Sequence, residues 1–203
     1  MENKVFGLTG ILSFILPLIG FLTLFQINPQ ALIELDLLAL SYYNIIGADG
    51  QLWTKWVIYI ATGLTSLLTL TGLLIQNKKN TQIIIGLSFL MASSLIWVSF
   101  GLVDMVPDDM INDSKLVLMR TIIFMLTSII GFLLIGTDLM KIRARVFVKW
   151  MTLTVAIMIG TLGSLSTFVF NDETYIRTNS SLALYFIWLG IIGFLLLTEK
   201  KNR

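Results

Sequence analysis

Four carboxylates, Asp104, Asp108, Asp109 and Asp113, crowd the stretch Phe100–Lys115, and Lys115 and Arg120 follow at once. Oxygen donors at this density suit a hard cation such as calcium, and two close carboxylates suit acid–base hydrolysis. The spacing speaks against both. The EF-hand order of acids, glycine and distal glutamate is absent, and Pro107 breaks any helix that would align Asp104 with Asp108. Intramembrane aspartyl enzymes carry their acids inside spans with companion motifs, and no such motif occurs here. What remains is recognition or a structural ion pair, with Asp104 facing Arg120. Such a pair is weak in water and stronger when buried between neighbouring segments. Asp104, Asp108, Asp109 and Arg120 are the candidate ligand- or partner-binding residues. No catalytic or metal-ligating residue is assigned.

The absences are as informative. The chain has no cysteine and no histidine, so it offers no disulfide, thiol nucleophile, iron–sulfur cluster, haem histidine or conventional zinc set. The side chain that most often acts as a base near neutral pH is missing too. No cofactor is expected, and the expected role is not enzymatic.

The acids sit between long apolar runs. Of 203 residues, 56% are hydrophobic and only 13% charged, and the mean hydropathy is +0.88. Soluble domains carry about a quarter charged residues, so the solvent implied here is a bilayer. A membrane-crossing helix needs about 20 mostly apolar residues. Six segments qualify, at 5–26, 57–76, 82–103, 117–138, 149–170 and 181–198. None has a charge in its middle, where one costs about 2.5–3.5 kcal/mol. The first run is too long for a signal-peptide core and lacks a small-residue cleavage site, so it reads as an uncleaved helix with Pro17 inside it. The fold class expected is an all-α integral membrane protein, one polytopic domain over 1–203.

Charge sets the direction. One set of alternate connections holds Lys4, Lys78, Lys79, Lys141, Arg143, Arg145, Lys149, Lys200, Lys201 and Arg203 against Glu2, Asp138 and Glu199. The other holds Lys55, Lys115, Arg120 and Arg177 against Glu34, Asp36, Asp49, Asp104, Asp108, Asp109, Asp113, Asp172 and Glu173. The positive-inside rule then places both termini in the cytoplasm and the longer first loop outside, in a plasma membrane. An odd number of spans would break the pattern. Trp53, Trp56, Tyr59 and Trp150 fall where interfacial aromatic belts are expected. Trp97 and Trp188 lie deeper, so their indole N–H groups need partners.

The first outer connection, 27–56, contains the apolar run Ala31–Ile46, which reads as a surface helix or cap over the bundle. The second and fifth spans are rich in small and hydroxylated residues: Thr62, Gly63, Thr65, Ser66 and Thr69, and Thr152, Thr154, Gly160, Thr161 and Ser164. Two readings stand: helix packing, with Gly160 and Ser164 as a small-xxx-small pair, or a polar path between those two helices. The basic connection Lys141–Lys149 follows from the positive-inside bias and is placed to meet anionic headgroups.

Taken together, the long first outer loop, the element Gly101-Leu-Val-Asp-Met-Val-Pro-Asp108 closing the third span and a Trp-bearing sixth helix resemble a known family. It is the bacterial six-helix membrane family of domain of unknown function 998, and more distantly the Frag1/DRAM-like proteins. The resemblance covers most of the chain in layout and is specific around Gly101–Asp108. Members often carry a histidine near the start of the fourth helix. Here that place reads Met119-Arg120-Thr121, so no role can be borrowed for it. The role expected is an accessory, sensory or immunity-like protein binding a membrane partner, a lipid or a peptide. The alternative is a small transporter or substrate-binding subunit using the polar path. The expected partners are the bilayer and a membrane protein or second copy, with no nucleic acid.

Overall fold

The computed structural model describes residues 2–27, 50–102, 110–138, 140–142, 144–168 and 174–198. Among them the secondary structure is helical: α1 (Glu2–Ile27), α2 (Gln51–Gln76), α3 (Thr81–Leu102), α4 (Met110–Gly136), α5 (Arg145–Phe168) and α6 (Thr174–Thr198). In hydrocarbon every backbone N–H and C=O must be satisfied within its own segment, and apolar runs of this length do so as helices. Five of the six are long and apolar enough to cross a membrane, and α6 carries a shorter apolar stretch, Leu182–Thr198. The surface run Ala31–Ile46 lies outside the described residues.

The helices extend past the apolar windows. α2 is helical from Gln51 and α4 from Met110, because a helix continues into the headgroup region where polar residues are tolerated. The acidic stretch is therefore not all turn, since its last part, Met110–Lys115, already forms the first turns of α4.

Each helix packs on its neighbours in chain order, α6 closes back on α1, and α2 also touches α6. Lipid tails are as apolar as leucine, so contact and close backbone approach hold such a bundle more than hydrophobicity does. Several crossings rely on glycine, α2–α3 among them, where a methyl on Gly101 would stand 2.7 Å from the Lys55 carbonyl oxygen. At α1–α6, a methyl group on Gly193 would stand 2.6 Å from the Gly7 carbonyl oxygen and from the Ile11 nitrogen. At α3–α4, one on Gly86 would stand 2.9 Å from the Gly131 carbonyl oxygen, and one on Gly131 2.8 Å from that of Gly86. Gly160, expected at such a crossing, is not at one: a methyl there meets only Ile129 Cδ1 at 3.8 Å.

The contacts also sort the ends. Gly7 lies beside Leu197, Gly72 against Phe6 and Asn77 against Lys141. The start of α1, the end of α6, the α2–α3 turn and the α4–α5 connection thus share one end of the bundle. That end gathers Lys4, Lys78, Lys79, Lys141, Arg145 and Lys149, with Glu2 and Asp138 the described acids in the same segments. Lys55 and Arg120 are at the other.

Candidate functional site

Arg120 sits on the third turn of α4, near the start of its apolar stretch, and reaches across to the last turn of α3. Its Nη1 donates to the Ser99 carbonyl at 3.2 Å, and its guanidinium carbon lies 6.0 Å from the centre of the Phe100 ring. The last four carbonyls of a helix have no partner within it and carry the negative end of its dipole, so a cation belongs there. Arg120 joins α3 to α4 through the main chain. Asp104, Asp108 and Asp109, the other candidates for this mouth, lie outside the described residues. Asp113 is on the first turn of α4.

Below Arg120 the centre of the bundle is filled by rings. Trp97 packs on Phe124 at 5.5 Å and on Phe186 at 4.9 Å between centroids, Phe124 on Tyr185 at 5.2 Å, and Phe132 on Trp188 at 5.0 Å. Edge-on and tilted geometries dominate, as ring quadrupoles prefer. Tyr59, expected at the membrane surface, is buried here against Trp97 and Phe100. The cause is local: Thr54–Ala61 is π-helical, and its i→i+5 bonding changes which face each residue presents. Trp53 and Trp56 remain exposed, as an interfacial belt requires.

Both deep indoles find partners. Trp97 Nε1 donates to the Ile58 carbonyl within the π-helical segment at 2.8 Å, and Trp188 Nε1 to Thr152 Oγ1 at 2.9 Å. The Tyr185 hydroxyl donates to the Leu90 carbonyl at 2.8 Å and lies 2.7 Å from the Ser94 hydroxyl. Ser93 meets Thr127 at 2.8 Å and accepts from Ser128 at 3.1 Å, joining α3 to α4.

Hydroxyls of α2, and Thr152 of α5, are used in packing. Thr65, Ser66, Thr69 and Thr71 each donate to the carbonyl four residues back. Towards α1, Thr69 meets Thr9 at 3.0 Å and Ser13 donates to Thr65 at 3.2 Å. On α5, Thr152 donates to Val148 and accepts from Trp188 of α6. Thr65 and Thr69 of α2 thus face α1, and Thr152 of α5 faces α6. A polar path between α2 and α5 would have to cross the aromatic centre.

The basic end holds a polar latch that the sequence reading passed over. Fully buried Asn77 closes α2, donating Nδ2–H to the Leu73 carbonyl at 2.8 Å and accepting the Lys141 backbone N–H on Oδ1 at 2.7 Å. Asn80 caps α3 by accepting the Ile83 N–H at 3.1 Å, and donates to Asp138 at 2.6 Å. Gln82 donates to the Leu134 carbonyl at 3.0 Å and also to Thr137. The connection between α4 and α5 is pinned further by buried Met140 and Ile142, and Ala144 turns it with a left-handed φ of 57°. That conformation costs an L-residue roughly 1–2 kcal/mol. The signal was present in the sequence, since asparagine immediately before an apolar run is a helix-capping residue. Among the described residues, the buried side-chain polar atoms without a protein partner are both ends of the Gln76 amide.

Compared with known protein families, curated proteins and solved structures, the chain matches none. Its chemistry therefore rests on this geometry. Carbonyl-bound cations, paired hydroxyls and amide clamps fix helices in place. No group of three His, Cys, Asp or Glu side chains comes together among the described residues.

Proposed function

We propose that this chain is a six-span protein of a bacterial plasma membrane, with both termini in the cytoplasm, that works by binding rather than by catalysis. Its role is accessory, sensory or protective, and its partner is another membrane protein engaged at the outer mouth around Arg120. The observation that carries this reading is the filled interior. Trp97, Phe124, Phe132, Tyr185 and Trp188 occupy the centre, and the hydroxyls and indoles beside them bond to one another or to backbone carbonyls. A bundle whose polar groups are so committed presents chemistry at its ends and lipid-facing surfaces. The six-span count is supported by α6, whose helix runs 25 residues although its apolar stretch is shorter. The cytoplasmic placement of the termini is supported by the gathering of six described Lys and Arg side chains at the end where α1 starts and α6 finishes.

The test is in-membrane crosslinking of the tagged full chain, followed by purification in mild detergent. A defined second protein should be captured, and Arg120→Gln should reduce that capture severalfold without changing the amount of chain in the membrane. Recovery of the chain alone after crosslinking, or capture indifferent to Arg120, overturns the reading. Uptake of a solute by reconstituted vesicles would move the protein to the transport class instead.

A further inference from the structure

We infer that the corner where α5 begins is an anionic-phospholipid site, built from Lys141, Arg145, Lys149 and Trp150. This rests on the membrane reading above, but not on the orientation or on the identity of a protein partner.

The corner is held in place from behind. Asn77 fixes the backbone of Lys141, and Met140 and Ile142 are buried on either side of it, so the Lys141 side chain is left outward and exposed. Ala144 then turns the chain so that the Val148 N–H meets the Ala144 carbonyl at 3.0 Å and α5 starts at Arg145. Arg145 is exposed, and the first turn of α5 contains no acid that would answer it. Lys149 lies one turn on, with Nζ 3.4 Å from the Thr137 carbonyl. Asp138, the acid on this connection, accepts from Asn80 of the latch. The side chains of Lys141 and Arg145 make no hydrogen bond or ion pair with any described residue.

What decides between occupants is the company these cations keep. Val146, Phe147 and Trp150 are 58%, 57% and 63% exposed on the same two turns. Cations and large apolar side chains interleaved on two exposed turns match a molecule that is anionic at one end and hydrocarbon at the other. An acidic protein segment would meet the charges and leave the three apolar groups uncovered. A phospholipid answers both, its phosphate to Lys141, Arg145 and Lys149 and its acyl chains to Val146 and Phe147. The indole of Trp150 sits at the boundary between them, where tryptophan concentrates in membranes. The occupant is thus a glycerophospholipid of net negative headgroup, such as phosphatidylglycerol.

The experiment titrates the purified full chain, in mild detergent, with phosphatidylglycerol and with phosphatidylcholine of identical acyl chains, and counts bound lipid by native mass spectrometry. Phosphatidylglycerol should bind at the lower concentration. Each basic residue near an anionic lipid surface is worth about fivefold in affinity. The combined variant Lys141→Gln, Arg145→Gln, Lys149→Gln should therefore weaken phosphatidylglycerol binding at least tenfold and leave phosphatidylcholine unchanged. The matched variant Lys4→Gln, Lys78→Gln, Lys79→Gln removes as many charges from the same end of the bundle. It should change phosphatidylglycerol binding far less. Equal binding of the two lipids, or equal weakening by the two variants, overturns the site and leaves only a diffusely positive surface.

A second readout does not depend on the variant's affinity alone. Phosphatidylglycerol brominated near the headgroup should quench a fluorescence component that Trp150→Phe removes, and brominated phosphatidylcholine should not. Equal quenching by both lipids again overturns the proposal. Inverted or failed membrane insertion would appear in topology reporters and not in these titrations, so the two readings fail separately.

Discussion

The buried side-chain oxygen of Asn77 holds the backbone N–H of Lys141 at 2.7 Å, tying the end of α2 to the connection between α4 and α5. The two residues are 64 apart in sequence, and the same side chain closes its own helix through the Leu73 carbonyl. Asn77→Ala removes both bonds and leaves the Lys141 N–H without its partner. An orphaned buried donor costs about 1–3 kcal/mol. The variant should therefore unfold at lower temperature in detergent than the parent chain. Lys141→Ala should not, because the bond uses the backbone of Lys141 and its side chain is exposed. Equal stability of Asn77→Ala and the parent would show that the latch contributes nothing.

Arg120 should behave differently under two substitutions. Arg120→Leu takes a cation from the last turn of α3 and leaves the Ser99 carbonyl without its cross-helix donor. A charge at a helix end contributes about 0.3–1 kcal/mol, and up to about 2 kcal/mol when partly buried. Arg120→Lys restores the charge without the planar fork, so it should recover part of the loss. Thermal unfolding of the three chains in one detergent gives the order Arg, Lys, Leu. A leucine variant as stable as the parent would remove Arg120 from the structural account.

How much of this could be read beforehand divides along physical lines. Apolar runs report burial in lipid directly, so the helices at 5–26, 82–103 and 117–138 were legible to within a few residues at their lipid-crossing parts. The need of Trp97 and Trp188 for partners was legible too, because an indole N–H has one donor and hydrocarbon offers it nothing. Which partners they take was not, since Ile58 and Thr152 lie 39 and 36 residues away in sequence. Tyr59 was expected in the interfacial belt because it lies at the entry of its span beside Trp53 and Trp56. Position along a span does not tell which way a π-helical segment turns the ring. The small-residue argument picked Gly160 and passed over Gly193 and Gly86. Composition cannot tell a glycine facing a neighbour from one facing lipid. The candidate mouth was legible only as a charge pattern. The structure adds the Arg120–Ser99 contact, while Asp104, Asp108 and Asp109 fall outside what it describes.

The indole bond between α6 and α5 invites a double-mutant cycle. Trp188→Phe and Thr152→Val each break the 2.9 Å bond from Nε1 to Oγ1. Side-chain hydrogen bonds between membrane helices average about 0.6 kcal/mol in such cycles, with a ceiling of about 1.7 kcal/mol. The coupling here should fall in the upper half of that range, since both residues are fully buried and Phe132 packs against the indole. It is read from unfolding of the four chains in detergent. A coupling indistinguishable from zero would mean that lipid-state alternatives satisfy both groups equally well.

Orientation can be read with reporters. Fusions after Asn80 and after Arg143 should report the cytoplasm and one after Asp109 the outside. The ends of the bundle were sorted by contacts, so Asn80 and Arg143 must agree with each other whichever way the chain inserts. A reversed pattern at all three would refute the positive-inside assignment and keep the fold. Disagreement between Asn80 and Arg143 would refute the antiparallel packing itself.

The glycine crossings give the sharpest contrast, because one substitution should have opposite consequences at different sites. Gly193→Ala places a methyl 2.6 Å from backbone atoms of α1, and Gly86→Ala places one 2.9 Å from the Gly131 carbonyl oxygen. Backbone cannot swing aside as a side chain can, so the helices must separate, and overpacking of this kind costs about 1–3 kcal/mol. Loss of the close approach also weakens the van der Waals contact that holds helices together in lipid. At Gly160 the nearest atom is Ile129 Cδ1 at 3.8 Å, an ordinary contact, so Gly160→Ala creates no clash. There the gain in helix propensity should dominate, at about 0.5–1 kcal/mol. Measured side by side, Gly193→Ala and Gly86→Ala should lower the unfolding temperature and Gly160→Ala should hold or raise it. If Gly160→Ala proves the most damaging of the three, that face of α5 is packed against something outside this chain. The face would then be a contact with a partner helix and not a lipid-facing surface.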